Sequence, residues 1–147
     1  MIKNIILKFI NIFILLCLCL STANSENKIK IELQIGNEIL TNIDFLNEKN
    51  YLIALNNNLK SLPKNQLKKI SKESLIREKI KKIELSKFYD LKAADKYSEQ
   101  VLRDFYKRLN FKNEDEFKSY MMGYNLNIND IKEKLKIETL WNEMIFS

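Results

Sequence analysis

The stretch from Gln66 to Phe88, QLKKISKESLIREKIKKIELSKF, contains neither glycine nor proline and follows directly on the only proline of the chain, Pro63. Nothing in it interrupts a helix, and its Leu, Ile, Lys and Glu residues favour one, so it predicts a single long helix. At about 3.6 residues per turn, Leu67, Ile70, Leu75, Leu85 and Phe88 fall toward one side. Ile76, Ile80 and Ile83 fall toward another, and Lys and Glu fill the remaining sector. Such a helix has to be covered from two directions, which makes the rest of the chain its cover.

A chain of 147 residues suffices for one domain with a real core and no metal or disulfide staple. Only 2 glycines and 1 proline argue against a sandwich or barrel made of many tight turns. The expected fold is mainly α, a multi-helix domain built around one long central helix, with a short N-terminal β-hairpin. Histidine is absent, and both cysteines, Cys17 and Cys19, lie near the N-terminus. The commonest general base, metal ligands and thiol nucleophile are therefore missing from the rest of the chain. No catalytic, metal-binding or cofactor-binding residue is expected, and no enzymatic activity.

Residues 1 to 25 stand apart. Lys3 and Lys8 give a positive start, Ile12 to Leu20 is an unbroken apolar run, and Ala23-Asn24-Ser25 offers small residues where a signal peptidase reads. This pattern predicts a secretory signal cleaved after Ser25, leaving a domain from 26 to 147. The apolar run is short of the roughly 20 residues that span a bilayer, which disfavours a permanent anchor. Leu18 precedes Cys19 where a lipoprotein signal needs a small residue. Removal of Lys3 and Lys8 lowers the formal charge from +6 to +4, a modest surplus.

Beyond the signal, Lys28 to Ile35 alternates, with Ile29, Ile31, Leu33 and Ile35 apolar, and predicts a strand with one buried face. Gly36-Asn37 breaks the pattern before Glu38-Ile39-Leu40, which suggests a hairpin. Thr41 or Asn42 then caps a helix from about Ile43 to Leu59, with Asp44 in its first turn. After the central helix, Asp95 or Ser98 caps a third helix through Leu109, closed by Asn110. Asn113 followed by three acids opens a short helix ended by Gly123 and Asn125. Asn127 or Asn129 caps a final one from about Asp130, which finishes on the apolar Met144-Ile145-Phe146.

The aromatic group Phe105, Tyr106, Phe117, Tyr120, Tyr124 and Trp141, with Met121 and Met122, is the candidate peptide-binding set. Such residues suit a surface that accepts many apolar segments. Helical spacing alone favours a core role for any one of them, yet as a set not all can face inward. The lysine runs Lys68-Lys69, Lys79, Lys81-Lys82 and Lys132, Lys134, Lys136 are interleaved with Glu73, Glu78, Glu84, Glu133 and Glu138, and arginine is scarce. They predict solvated helix faces and no nucleic-acid interface.

Three stretches carry a family resemblance. Ile35-Gly36-Asn37-Glu38-Ile39-Leu40-Thr41-Asn42-Ile43-Asp44-Phe45 is similar to a V-N-G-E-x-I-T-x-x-D-L opening, with Gly and Asn exchanged. ESLIREKIKKIELSKF, Glu73 to Phe88, is similar to a long helix that follows it. The run from Asn113 through Met144 matches a short helix, a break at Gly123 and a terminal helix. In this the chain resembles the N-terminal domain of the SurA family of periplasmic chaperones. The resemblance implies a periplasmic holdase for unfolded outer-membrane proteins or other extended polypeptides. It stops short of prolyl isomerase activity, since no parvulin domain follows and histidine is absent. It also implies a groove left open along the central helix, for a client or for self-association. The alternatives are an assembly partner whose groove another subunit fills, or a fragment of an isomerase without its catalytic domain.

Overall fold

The computed structural model describes residues 28–92 and 98–146, so the predicted signal and the candidate cap Asp95 lie outside the described residues. Strands β1 (Ile31–Ile35) and β2 (Glu38–Thr41) pair antiparallel across Gly36-Asn37. Gly36 takes φ of +56°, the left-handed conformation that a tight hairpin turn needs and that glycine adopts without strain. A Cβ built there would lie 3.7 Å from Ile83 Cδ1, so the turn rests on the central helix.

The register departs from simple alternation. Leu33 faces Leu40 and Ile35 faces Glu38, but the next pair is Ile31 with Thr41, which leaves Glu32 as an extra residue. One inserted residue moves everything beyond it to the other face of the sheet. Leu40 is therefore fully buried while Ile31 is 68% exposed, on the outer face with Ile39. The expected burial of Ile29 and Ile31 is thus corrected: only Leu33 and Ile35 of the alternating set turn inward.

Helix α1 (Asn42–Leu55) starts with a capping box: Asp44 N donates to Thr41 Oγ1 at 3.3 Å, and Thr41 N donates back to Asp44 Oδ2 at 2.7 Å. Asn42 ties the helix to the approach of β1, accepting from Lys30 N at 2.8 Å and donating to Lys28 O at 3.2 Å. The helix ends before the expected Leu59. Asn56 turns extended and its Oδ1 accepts from Asn58 N, which starts a 3-10 turn over Asn57–Ser61.

Helix α2 (Lys64–Leu85) is the long central helix. Helices α3 (Ser98–Arg108), α4 (Glu114–Met122) and α5 (Ile128–Phe146) complete the order among the described residues. Both α3 and α4 close through an asparagine with positive φ, Asn110 at 65° and Asn125 at 58°. In each case the next amide reaches back five residues, Phe111 N to Tyr106 O and Leu126 N to Met121 O, so the last carbonyls are satisfied. Gly123 keeps helical angles; Asn125 makes the reversal.

Two apolar clusters hold these helices together. In the larger, Leu102 and Tyr106 of α3, Phe117 and Met121 of α4, and Ile131 and Leu135 of α5 pack around Ala54 of α1. In the smaller, Leu85 at the end of α2 meets Ile137 and Leu140 of α5. The central helix buries Leu67, Ser71, Leu75 and Leu85, while Ile80 and Phe88 are exposed. Phe88 misses its expected place because the helix stops at Leu85.

Loss of the Thr41 cap in Thr41→Ala is expected to cost about 1 kcal/mol. Urea unfolding of the two proteins checks it, with an unchanged slope expected because the surface exposed on unfolding is the same.

Candidate functional site

The aromatic set is divided between the two clusters. Phe117 and Met121, one helical turn apart on α4, are fully buried, and Tyr106 is buried beside them. Phe105 and Phe111 stand edge-on to Phe117, with ring centroids at 5.9 and 5.3 Å. These are distances at which the ring edge of one aromatic meets the negative face of another. Tyr120 and Tyr124 are half-buried on the same cluster and spend their hydroxyls on the chain. Tyr120 donates to Ala54 O at 2.8 Å, and Tyr124 donates to Asn57 Oδ1 at 3.1 Å. Trp141 belongs to the smaller cluster. Met122 alone of the eight is well exposed, at 61%. The eight residues therefore do not line one groove: seven build or pad two cores, because the positions at i and i+4 on α4 both face α3.

A polar cleft of about 270 Å³ opens where α1, α2 and α5 meet. Lys134 Nζ donates to Glu48 Oε2 at 2.5 Å and also to Glu78 Oε2, and it stands over the Tyr51 ring at 5.2 Å. Glu48 is only 2% exposed. Burial alone would lower the Lys134 pKa, but the charges and hydrogen bonds of Glu48 and Glu78 outweigh it and hold the pKa above the ordinary lysine value. Burial, then the neighbouring carboxylates, push the Tyr51 phenol above its usual range. Lys82 and Lys79 of the same cleft both pair with Glu38, at 3.1 and 3.6 Å. Burial would raise Glu38, yet those two lysines bring it below the usual carboxylate value.

Lys134 and Lys136 correct the expectation of a solvated face. Lys134 is half-buried, and Lys136 is buried and donates to Leu91 O at 2.9 Å and to Glu133 Oε1 at 2.6 Å.

On another side of the α1–α2 pair lies an apolar groove of about 360 Å³. Helix α1 contributes Asn42, Phe45, Leu46 and Lys49, and α2 contributes Lys64, Leu67, Lys68 and Ser71. Each set has the i, i+3, i+4, i+7 spacing of one helix face, so two turns from each helix form the walls. Phe45, Leu46 and Leu67 supply the apolar floor. Unlike the lysines of the polar cleft, Lys49, Lys64 and Lys68 form no ion pair among the described residues. None of these eight positions stands out in the sequence as a site, because each reads as ordinary helix. The signal that could have found them is the lack of an acid at i+4 from Lys64 and Lys68.

Comparison with protein-family models, curated proteins and solved structures gives no match to the chain. No described helix is long and apolar enough to cross a membrane. No group of three or more acid or sulfur ligands is placed to hold a metal among the described residues.

Two substitutions separate core from surface. Phe117→Ala is expected to cost about 3–5 kcal/mol through the cavity it leaves, and Met122→Ala less than about 0.5 kcal/mol, both read by urea unfolding. Lys134→Met leaves the carboxylates of Glu48 and Glu78 without their cation and is expected to cost about 3–5 kcal/mol. Because the folded Lys134 pKa is raised, its contribution is complete below the ordinary value of 10.5 and is lost as pH rises through the higher folded value. Wild-type stability should fall over that alkaline range, and Lys134→Met should lack that part of the fall.

Proposed function

We propose that the protein is a non-catalytic binding protein for extended, non-native polypeptides, a holdase working in the periplasm, as its resemblance to the SurA N-terminal domain implies. The observation that carries this reading is the open apolar groove along the first two turns of the central helix, rimmed by lysines with no internal partner. A groove of two helical turns is about 11 Å long and accommodates three or four residues of an extended chain. Phe45, Leu46 and Leu67 would take an apolar side chain, and Lys49, Lys64 and Lys68 would hold carboxylates beside it.

One such site is weak by itself. Small interfaces bind transiently, and binding to the unfolded state by mass action is what a holdase needs, since it must compete with aggregation and then let go. In this reading the aromatic residues act indirectly, by fixing the helices that form the groove.

Dilution of a urea-unfolded outer-membrane β-barrel protein into buffer, followed by light scattering, tests the reading. The expected result is suppression of scattering at near-stoichiometric amounts of the protein, weakened about tenfold by Leu46→Glu and unaffected by Met122→Glu. Leu46 is partly exposed, so the substitution leaves the core intact, which circular dichroism verifies. Absence of protection by the folded wild-type protein, or equal protection by Leu46→Glu, would exclude the groove as a client site.

A further inference from the structure

The end of α5 carries the opposite features to the groove. Ile145 is 52% and Phe146 85% exposed, side by side on the last turn, and Glu143 next to them forms no ion pair among the described residues. The last turn of α5 holds no basic residue. An apolar knob with an uncompensated negative charge thus stands at one end of the molecule. An apolar hollow with three uncompensated positive charges stands elsewhere.

The two cannot meet within one molecule. Met144 packs beside Leu85, at the far end of the central helix, whereas the groove ends at Ser71. Fourteen residues of helix separate those positions, about 21 Å at 1.5 Å per residue. From this we infer that the protein associates with itself head to tail, the Ile145-Phe146 knob of one copy seating between α1 and α2 of the next. Burial of the two side chains against Phe45, Leu46 and Leu67 supplies the attraction, and Glu143 meets the lysine rim.

Other segments of the chain fit the groove less well. Residues 1 to 25 are apolar but carry Lys3 and Lys8 and no acid, so the lysine rim repels them. The exposed hairpin face of Ile29, Ile31 and Ile39 is flanked by Lys28 and Lys30 and by Glu32, unpaired among the described residues, which leaves a net positive edge that the lysine rim disfavours. The contact is heterologous, since the knob and the hollow are different surfaces. It therefore continues from copy to copy until a ring closes, and does not stop at a symmetric pair. Its small area makes it weak, and its ion pairs make it sensitive to salt.

Sedimentation velocity on the purified protein, expressed from its full sequence, across a concentration series at low salt provides the test. The mean mass of the wild type should climb past that of a dimer as concentration rises. Phe146→Glu, altered in the knob, and Leu46→Glu, altered in the hollow, should each shift that climb to at least about tenfold higher concentration. An equimolar mixture of the two variants has one good knob and one good hollow, so it should form dimers and nothing larger. Wild type that stays monomeric throughout, variants that associate as the wild type does, or a mixture that fails to dimerise would each overturn the inference. This outcome is independent of client binding, because Phe146→Glu keeps the groove and should protect the unfolded barrel protein as well as the wild type or better.

Discussion

The shared ion pair at Lys134 is the contact on which the arrangement of helices depends. One ammonium on α5 joins Glu48 of α1 to Glu78 of α2, and the first of these partners is 86 residues away in sequence. Two carboxylates and one cation taken from water cost several kcal/mol, and their mutual attraction roughly repays it. Little net stability follows from the pairing as such. The effect expected of it is on specificity: a rotation or shift of α5 that carries Lys134 away leaves the buried Glu48 without a cation. On α5 the residues before Lys134 and beside it, Ile131 and Leu135, enter the larger cluster, and Ile137 and Leu140 enter the smaller. Lys136, on the same helix, holds the segment after the central helix through Leu91 O. The polar link thus sets the register in which both apolar clusters can form.

Placing charge inside the helix assembly has a consequence for its surfaces. The three lysines of the polar cleft are matched by Glu38, Glu48 and Glu78, so that cleft has no cation left over for an external anion. The groove on the other side of the same helix pair has lysines alone. A lysine that is not paired internally keeps its full attraction for an external anion, weakened only by solvent and salt. The difference between two hollows of comparable volume is therefore one of unpaired cations, and it supports the proposal that the apolar one receives another chain.

The long helix, the hairpin, the helix starts at Thr41, Asn113 and Asn127 and the closures at Asn110 and Asn125 were all legible in the sequence. Each depends on a local rule: a side-chain oxygen near an orphan amide, or a residue tolerant of positive φ. Three features were not. The extra residue at Glu32 reverses the faces of Ile29 and Ile31, and no pattern of alternation shows where a strand will bulge. Lys134 and Lys136 look like every other lysine in a chain where Lys outnumbers Arg 22 to 3, so the inward placement of two of them is hidden by composition. That the aromatic residues divide between two cores was not legible either, for a related reason. Aromatic side chains are as fit for a core as for a binding surface, and which they become depends on the angle at which α4 meets α3. Of the residues that assemble the groove, only Phe45 carries that chemical mark.

With most aromatic residues spent on the interior, the proposed binding surface has an apolar floor with one aromatic, Phe45, under a lysine rim, and that changes the kind of selectivity to expect. Rigid aromatic pockets discriminate shape; an open floor of Phe45, Leu46 and Leu67 with long flexible cations discriminates little beyond an apolar residue near a carboxylate. The knob of α5 satisfies that minimal rule, and so do many segments of an unfolded protein. Both proposals thus draw on one physical fact, and they compete. A copy whose groove is filled by its neighbour has lower apparent affinity for a client, in proportion to the fraction of grooves left open. At high concentration the protein would occupy its own sites weakly, and any segment that binds better than the knob would release a copy to hold it. Association of this kind keeps apolar grooves covered when no client is present, without a lid or an energy source.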